Sequence, residues 1–297
     1  MEQFRRAENG LYILAPAKIN LSLLIAGKRP DGYHELETIM AKIDYYDELL
    51  FEWGTKQGID LICTGPYSVP EGPENLVWKA CQLLTNKVGK ALSIKVTLTK
   101  NIPAGTGLGS GSSDAAAALM GLNRFANFGL SSTDLHPIAA DLGSDVNFFL
   151  EGPLAFCTGR GEKIRPINTS FPFHSILIIP NISTSTKEVY RNYTHNSDLY
   201  CQLSKKINAF LDQNKIDFAA GICANMLQKS CFQLHPQLAD IKKTVEGLTG
   251  QVVCLSGSGS AMYCLIESQV KGLIEHCCDI LRRDCNCLCR IVRNNRW

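Results

Sequence analysis

Ile19, Leu21, Leu23 and Ile25 alternate with smaller or polar neighbours from Lys18 to Ala26, a period of two that predicts a half-buried strand. The same period returns at Ile94, Val96 and Leu98, predicting a strand over Ser93 to Thr99. Strand-sized apolar runs also occupy Glu48 to Trp53, Ile59 to Cys63 and Ser175 to Ile179, and Asp31-Gly32 signals a turn. Between Asn75 and Val88 the apolar spacing becomes helical, with Asn75 as a cap. Asp114 to Phe125 is alanine-rich and reads as a helix. Ser131 to Asp134 opens another helix, which ends near Gly143. Leu154 to Arg165 reads as a hairpin turning at Gly159-Arg160-Gly161. Ser185 to Leu248 is mostly helical, with breaks near Asn196, Asn214 and Pro236. Strands at Gln251 to Leu255 and Ala261 to Ile266 flank Ser256 to Ser260, and a helix over Gln269 to Arg283 precedes a last strand, Leu288 to Arg293. A β-led first half and a second half with helices between strands define an α+β class.

Where the strand ending at Thr99 meets the alanine-rich helix, Pro103, Ala104, Gly105, Thr106, Gly107, Leu108, Gly109, Ser110, Gly111, Ser112 and Ser113 form a run of small residues. Such a run lets backbone approach a ligand, and a following helix start offers unpaired amides and partial positive charge. Together they form an anion cradle, most often for phosphate. The loop has no lysine, so it is not a Walker A loop. Its glycines are spaced by two and lead into helix, unlike a dinucleotide fingerprint or a protein-kinase hairpin. Ser256-Gly257-Ser258-Gly259-Ser260 is a second small-residue cluster. By itself it reads as a tight hairpin; beside the first, it could wall a phosphate site.

Two charged residues stand in apolar settings. Lys18 enters the first alternating strand, and Asp145 precedes Val146, Phe148 and Phe149. A buried carboxylate is costly unless paired, so a buried Lys18–Asp145 pair would satisfy both charges and set a proton acceptor beside a cation. Lys95, Lys100 and Trp78 read as ordinary surface or core, with an adenine pocket as the alternative.

Composition narrows the field. The chain has 297 residues, 45% of them hydrophobic and 20% charged, with formal net charge +2. These values fit a globular protein and supply no bulk charge for holding nucleic acid. No stretch approaches the length of a membrane span, and residues 1–18 lack a signal-peptide apolar core, so a cytoplasmic protein is expected. Thirteen cysteines cannot all pair within one chain. Cys277, Cys278, Cys285, Cys287 and Cys289 invite a zinc reading but lack paired C-x-x-C spacing, so reduced thiols and no metal site are expected.

Pro16-Ala17-Lys18-Ile19-Asn20-Leu21, Gly32-Tyr33-His34-Glu35-Leu36, Ile102 through Ser113, Gly143-Ser144-Asp145-Val146 and Ser256 to Ser260 occur in that order. This succession resembles the GHMP kinase superfamily over nearly the whole chain. The first two motifs narrow the resemblance to its 4-diphosphocytidyl-2-C-methyl-D-erythritol kinase family. The resemblance implies a two-domain fold. Residues 1–170 would form a β-rich N-terminal domain with a left-handed βαβ-type unit, residues 171–297 an α+β C-terminal domain, with the active site in the cleft between them. It implies ATP and Mg²⁺ as cofactors and phosphorylation of the 2-hydroxyl of the cytidyl diphosphate-methylerythritol substrate, in non-mevalonate isoprenoid synthesis. Lys18 and Asp145 would be catalytic, and Pro103 through Ser113 would hold the ATP phosphates. Asn20 would contact the methylerythritol part. Tyr33 and Tyr190 would take the two faces of the cytosine, and His34 would hold it largely through its backbone. A monomer or weak homodimer is expected, with no nucleic-acid or membrane partner. The alternatives are another small-molecule kinase of this superfamily, acting on homoserine, mevalonate or a sugar, and a non-catalytic ligand sensor. Ser110 stands where the family often has glycine, and a serine fits there only at negative φ.

Overall fold

A computed structural model describes residues 2–168, 172–213, 223–266 and 271–297. The first sheet is built on two long antiparallel strands, β2 (Gly10–Lys28) and β3 (His34–Trp53). β1 (Phe4–Arg6) flanks β2. β5 (Ser93–Thr99) pairs with β3 at one end, and β6 (Leu154–Gly159) pairs with it at the other. β4 (Gly58–Thr64) lies parallel to β5, joined to it through helix α1 (Leu76–Val88). β7 (Lys163–Pro166) completes the hairpin with β6. The second sheet has the order β10 (Val253–Leu255), β11 (Met262–Ile266), β8 (His174–Pro180), β12 (Cys287–Arg293), all neighbours antiparallel.

Helices α2 (Ser110–Phe125), α3 (Ser132–Leu142) and α4 (Val146–Leu150) follow β5. The second half adds α5 (Thr186–Arg191), α6 (Ser197–Gln213), α7 (Gln228–Leu234), α8 (Pro236–Thr249) and α9 (Lys271–Asp284). The expected caps are present. Asn75 accepts the Val77 amide at 2.8 Å, and Ser131 and Asp134 form a reciprocal capping box. The expected domain division at residues 170 and 171 and the expected helix break at Asn214 lie outside the described residues.

Three expectations change. Lys18 to Ala26 is not half-buried: β2 is covered on both faces from Pro16 to Leu24. The reason is a second layer. Ile19, Leu21 and Leu24 pack into a core shared with Ile176, Ile178 and Met262 of the second sheet, and the buried Tyr263 hydroxyl donates to the Asn20 and Leu21 carbonyls at 3.0 and 3.1 Å. Second, β3 begins at His34, well before the expected Glu48, because Lys42 and Asp47 interrupt its apolar pattern while being wholly buried. Third, residues 224–225 add a short strand, β9 (Ala224–Asn225), parallel to β2 inside a region expected to be helical.

β2 and β3 serve two cores. Leu11, Ile13, Ala15, Leu49 and Phe51 pack under α1 and α2, whereas Ala17, Ile19, Ile39 and Ile43 belong to the core of the second sheet. The change-over in β2 falls at a register shift between Pro16 and Ala17. Irregularities of this kind re-aim side chains. The next residue is Lys18.

Candidate active site

The run of small residues closes around Lys18. The Lys18 amide donates to the Leu108 carbonyl at 2.9 Å, which ties the loop to β2. Gly109 has φ 69°, and a Cβ there would stand 3.0 Å from both Lys18 Cγ and Phe149 Cζ. Gly107 has φ 79°, and a Cβ there would stand 2.1 Å from the Ser256 carbonyl oxygen. Only glycine satisfies both the backbone and the space at these two points. Ser110 is the first residue of α2 and does not adopt positive φ, so the replacement of glycine by serine meets no backbone conflict.

α2 starts at Ser110, four residues before the expected Asp114. Its first internal bond runs from the Ser113 amide to the Gly109 carbonyl, at 2.9 Å. The amides of Ser110, Gly111 and Ser112 therefore have no carbonyl partner within the helix. Gly109 supplies no side-chain cap, and the buried Ser113 hydroxyl has no hydrogen-bond partner. Free amides, an orphaned hydroxyl and a loop that admits only glycine at 107 and 109 suit a phosphate chain.

The second small-residue cluster is both a hairpin and a wall. It joins β10 to β11, and it also docks on the loop. The Ser256 hydroxyl donates to the Gly107 carbonyl at 3.0 Å, and the Ala261 amide donates to the Thr106 carbonyl at 2.9 Å. Ser256 Oγ in turn accepts the Asn20 amide at 3.3 Å.

Lys18 and Asp145 meet. Their charged atoms are 3.7 Å apart. The pair is not sealed as expected: the Lys18 side chain is 4% exposed, that of Asp145 30%. Lys18 Nζ also donates to Asn20 Oδ1 at 2.5 Å, while Asn20 Nδ2 donates to Thr38 Oγ1 at 2.8 Å, so Asn20 aims the lysine. Burial pulls the Lys18 ammonium below its ordinary value, and Asp145 opposes that shift. Asp145 stands at the N-cap of α4 without capping it through its side chain. Its carboxylate is therefore free to face the cleft.

The cleft has a volume of about 1260 Å³ and holds Lys18, Asp145, the loop and an aromatic group together. Tyr33 is 57% exposed on its rim. The turn that carries it is braced by Arg29, which pairs with Asp31 at 3.1 Å and Glu35 at 2.6 Å. The rings of His34 and Tyr190 lie 5.2 Å apart at 34°. Two further residues of this wall were not expected. Tyr193 meets His34 edge-on at 5.8 Å, and Arg160, at the tip of the β6–β7 hairpin, lies 5.0 Å from the Tyr33 ring centroid. The Gly-Arg-Gly tip and the three-residue spacing from Tyr190 to Tyr193 were the available signals.

Lys100 is away from this cleft. It is buried between Asp47 and Asp114, in contact with both. The buried Cys277, Cys278, Cys287 and Cys289 belong to the apolar core of the second sheet, and all thirteen thiols are unpaired by disulfides. Among the described residues no group of three His, Cys, Asp or Glu could hold a metal unaided.

Known proteins are similar to this chain in sequence and in fold. The family description GHMP kinases N terminal domain matches residues 75–153. A Bacillus cereus protein named 4-diphosphocytidyl-2-C-methyl-D-erythritol kinase is 39% identical over 260 residues, covering 86% of this chain and 88% of that protein. The chain belongs to the 4-diphosphocytidyl-2-C-methyl-D-erythritol kinase family. A Bacillus cytotoxicus kinase of the same name matches equally well, at 39% over 260 residues. A crystal structure of a 4-(cytidine 5'-diphospho)-2C-methyl-D-erythritol kinase superposes with a TM-score of 0.76 at 30% identity, covering 96% of this chain and 100% of that one. A homoserine kinase from Cytophaga hutchinsonii superposes at 0.75 with 17% identity, which establishes the two-domain GHMP fold and nothing of substrate. The chain is thus an ATP-using small-molecule kinase.

Proposed function

We propose that this kinase transfers the γ-phosphoryl group of ATP to the 2-hydroxyl of 4-diphosphocytidyl-2-C-methyl-D-erythritol, with Asp145 as proton acceptor and Lys18 as its cationic partner. Family membership, at 39% identity over 86% of the chain, supports the reaction. The observation that carries the residue assignment is the 3.7 Å meeting of Lys18 and Asp145 beside the open start of α2. Relatives acting on homoserine or mevalonate are 17% identical or less and share only the fold, so those alternatives are not favoured.

Asp145 Oδ2 accepts the proton of the attacking hydroxyl. Lys18, held by Asn20, keeps Asp145 oriented and stabilises negative charge building at the nucleophile. The amides of Ser110, Gly111 and Ser112 hold the phosphate chain, and Ser113 offers a further donor. Mg²⁺ would supply charge neutralisation for the phosphate chain held at the start of α2, and few protein ligands would be needed for it, since this ion commonly keeps several waters. Tyr33 and Tyr190 sandwich the cytosine and His34 binds its edge through backbone groups. Because phosphoryl transfer asks little covalent help of the protein, this positioning is the main contribution of the chain.

The decisive assay is coupled ADP release with Mg-ATP and the cytidyl substrate. Turnover with that alcohol and not with homoserine or mevalonate is expected; turnover with either of those alone overturns the assignment. Tyr33→Ala should raise KM for the cytidyl substrate about tenfold, the worth of one aromatic contact, and leave KM for ATP unchanged. Equal changes in both constants would remove Tyr33 from the cytosine.

A further inference from the structure

Lys42 is 1% exposed and has no part in the chemistry described above. It sits opposite Lys18 in the β2–β3 register, on the strand neighbouring the catalytic lysine. Its partners are carbonyls. Lys42 Nζ donates to the Phe149 carbonyl at 3.1 Å and to the Glu151 carbonyl at 2.6 Å. The Glu151 carboxylate is engaged elsewhere, 2.6 Å from His136 Nε2. The ammonium also stands 5.8 Å from the Phe148 ring centroid. Burial pushes this lysine down to about 7, Glu151 opposing the shift.

A buried cation without a carboxylate partner is costly, and a methionine would fill the same space without that cost. What the ammonium supplies is two hydrogen bonds at the carbonyl end of α4. That helix has five residues, little more than one turn. One turn of helix does not hold itself, because nucleation fixes several residues for very few bonds. Its carbonyl end also carries partial negative charge, which a cation complements. The other end of α4 is Asp145. Lys42 itself is held firmly: its amide donates to the Pro153 carbonyl and its carbonyl accepts from the Asn295 amide, both at 2.8 Å.

We propose that Lys42 is a positioning residue: its ammonium clamps the carbonyl end of α4 and so fixes where Asp145, at the opposite end, meets Lys18. The inference rests on the reading of Asp145 as proton acceptor. A misplacement of about 1 Å at a reacting group can cost on the order of a hundredfold in rate, so a clamp one helix turn away has leverage.

The test is a double-mutant cycle on the full chain, read by ADP release and by calorimetric ATP binding. Lys42→Met should lower kcat about ten- to a hundredfold and leave KM for ATP and ATP affinity unchanged, because the phosphate cradle is on α2. In an Asp145→Asn background, Lys42→Met should cost nothing further, since the clamp acts only through that carboxylate. A multiplicative loss, an unchanged kcat or a raised KM for ATP overturns the proposal. If Lys42→Met does not fold, Lys42→Gln, which keeps a donor without charge, enters the same cycle. Failure of both to fold makes Lys42 a folding element and rejects the positioning role. Full turnover by Asp145→Asn alone would instead strike the proton-acceptor reading, so the two failures are distinguishable.

Discussion

Two lysine–aspartate centres flank the glycine loop, and they are built for opposite ends. Lys100, just before the loop, is sealed between Asp47 and Asp114, and Asp47 also accepts the amides of Asn101 and Ile102 at 2.5 and 2.8 Å. Lys18, under the far end of the loop, has one carboxylate at 3.7 Å, and that carboxylate opens to the cleft. Both lysines are nearly inaccessible. The difference is in their partners. Close, dry, multiply bonded charges hold backbone in place, here β3, the end of β5 and the first turn of α2. A loosely met pair with one member half-buried at a cleft has, on the proposed reading, capacity left for a substrate proton.

Removing one member of each centre should therefore separate rate from stability. The largest effect expected is from Asp145→Asn: kcat falling by about a hundred- to ten-thousandfold, with thermal unfolding and ATP binding close to those of the unaltered enzyme. A comparable loss of stability would erase the contrast between the centres. Lys100→Met should do the reverse. It leaves the buried, ionised Asp47 without its cation and should cost about 3–5 kcal/mol in a denaturant titration. Little change there would mean that the sealed centre is not structural.

A smaller, pH-dependent effect sharpens the comparison. Burial pushes the Asp114 carboxyl up to about 8, Lys100 opposing the rise and Asp47 adding to it. The folded state then holds a proton that the unfolded chain, with an ordinary value of 3.8, has already released. Stability from this group is thus lost as pH rises from about 4 toward 8. Asp114→Asn, neutral throughout, should flatten the fall in melting temperature across that range. An unaltered slope would show that Asp114 is ionised in the sealed centre.

Much of the site was legible because its motifs are local. The proposed phosphate loop needs neighbouring small residues before a helix, and the run from Pro103 to Ser113 is contiguous. The glycines at 107 and 109 declared that something would approach closely, but what approaches is Ser256 in one case and Lys18 in the other. Those neighbours come from distant segments. β3 was half-hidden for a related reason: Lys42 and Asp47 look like surface residues until their partners, the α4 carbonyls and Lys100, are in place. Arg160 and Tyr193 are missed similarly, since each joins the Tyr33–His34 wall only through the packing of a hairpin or a helix end.

By itself the sequence determined the α+β class, the run of small residues leading into a helix, the resemblance to the family and Lys18 and Asp145 as candidates, because local motifs and residue type suffice for these. The tertiary structure alone decided that β2 is covered on both faces, that Lys18 and Asp145 meet with one side open, and that Lys100 is sealed between Asp47 and Asp114. Those outcomes depend on burial and on which distant charges become neighbours, and the cost of an unpaired buried charge is incurred only once the chain has closed around it.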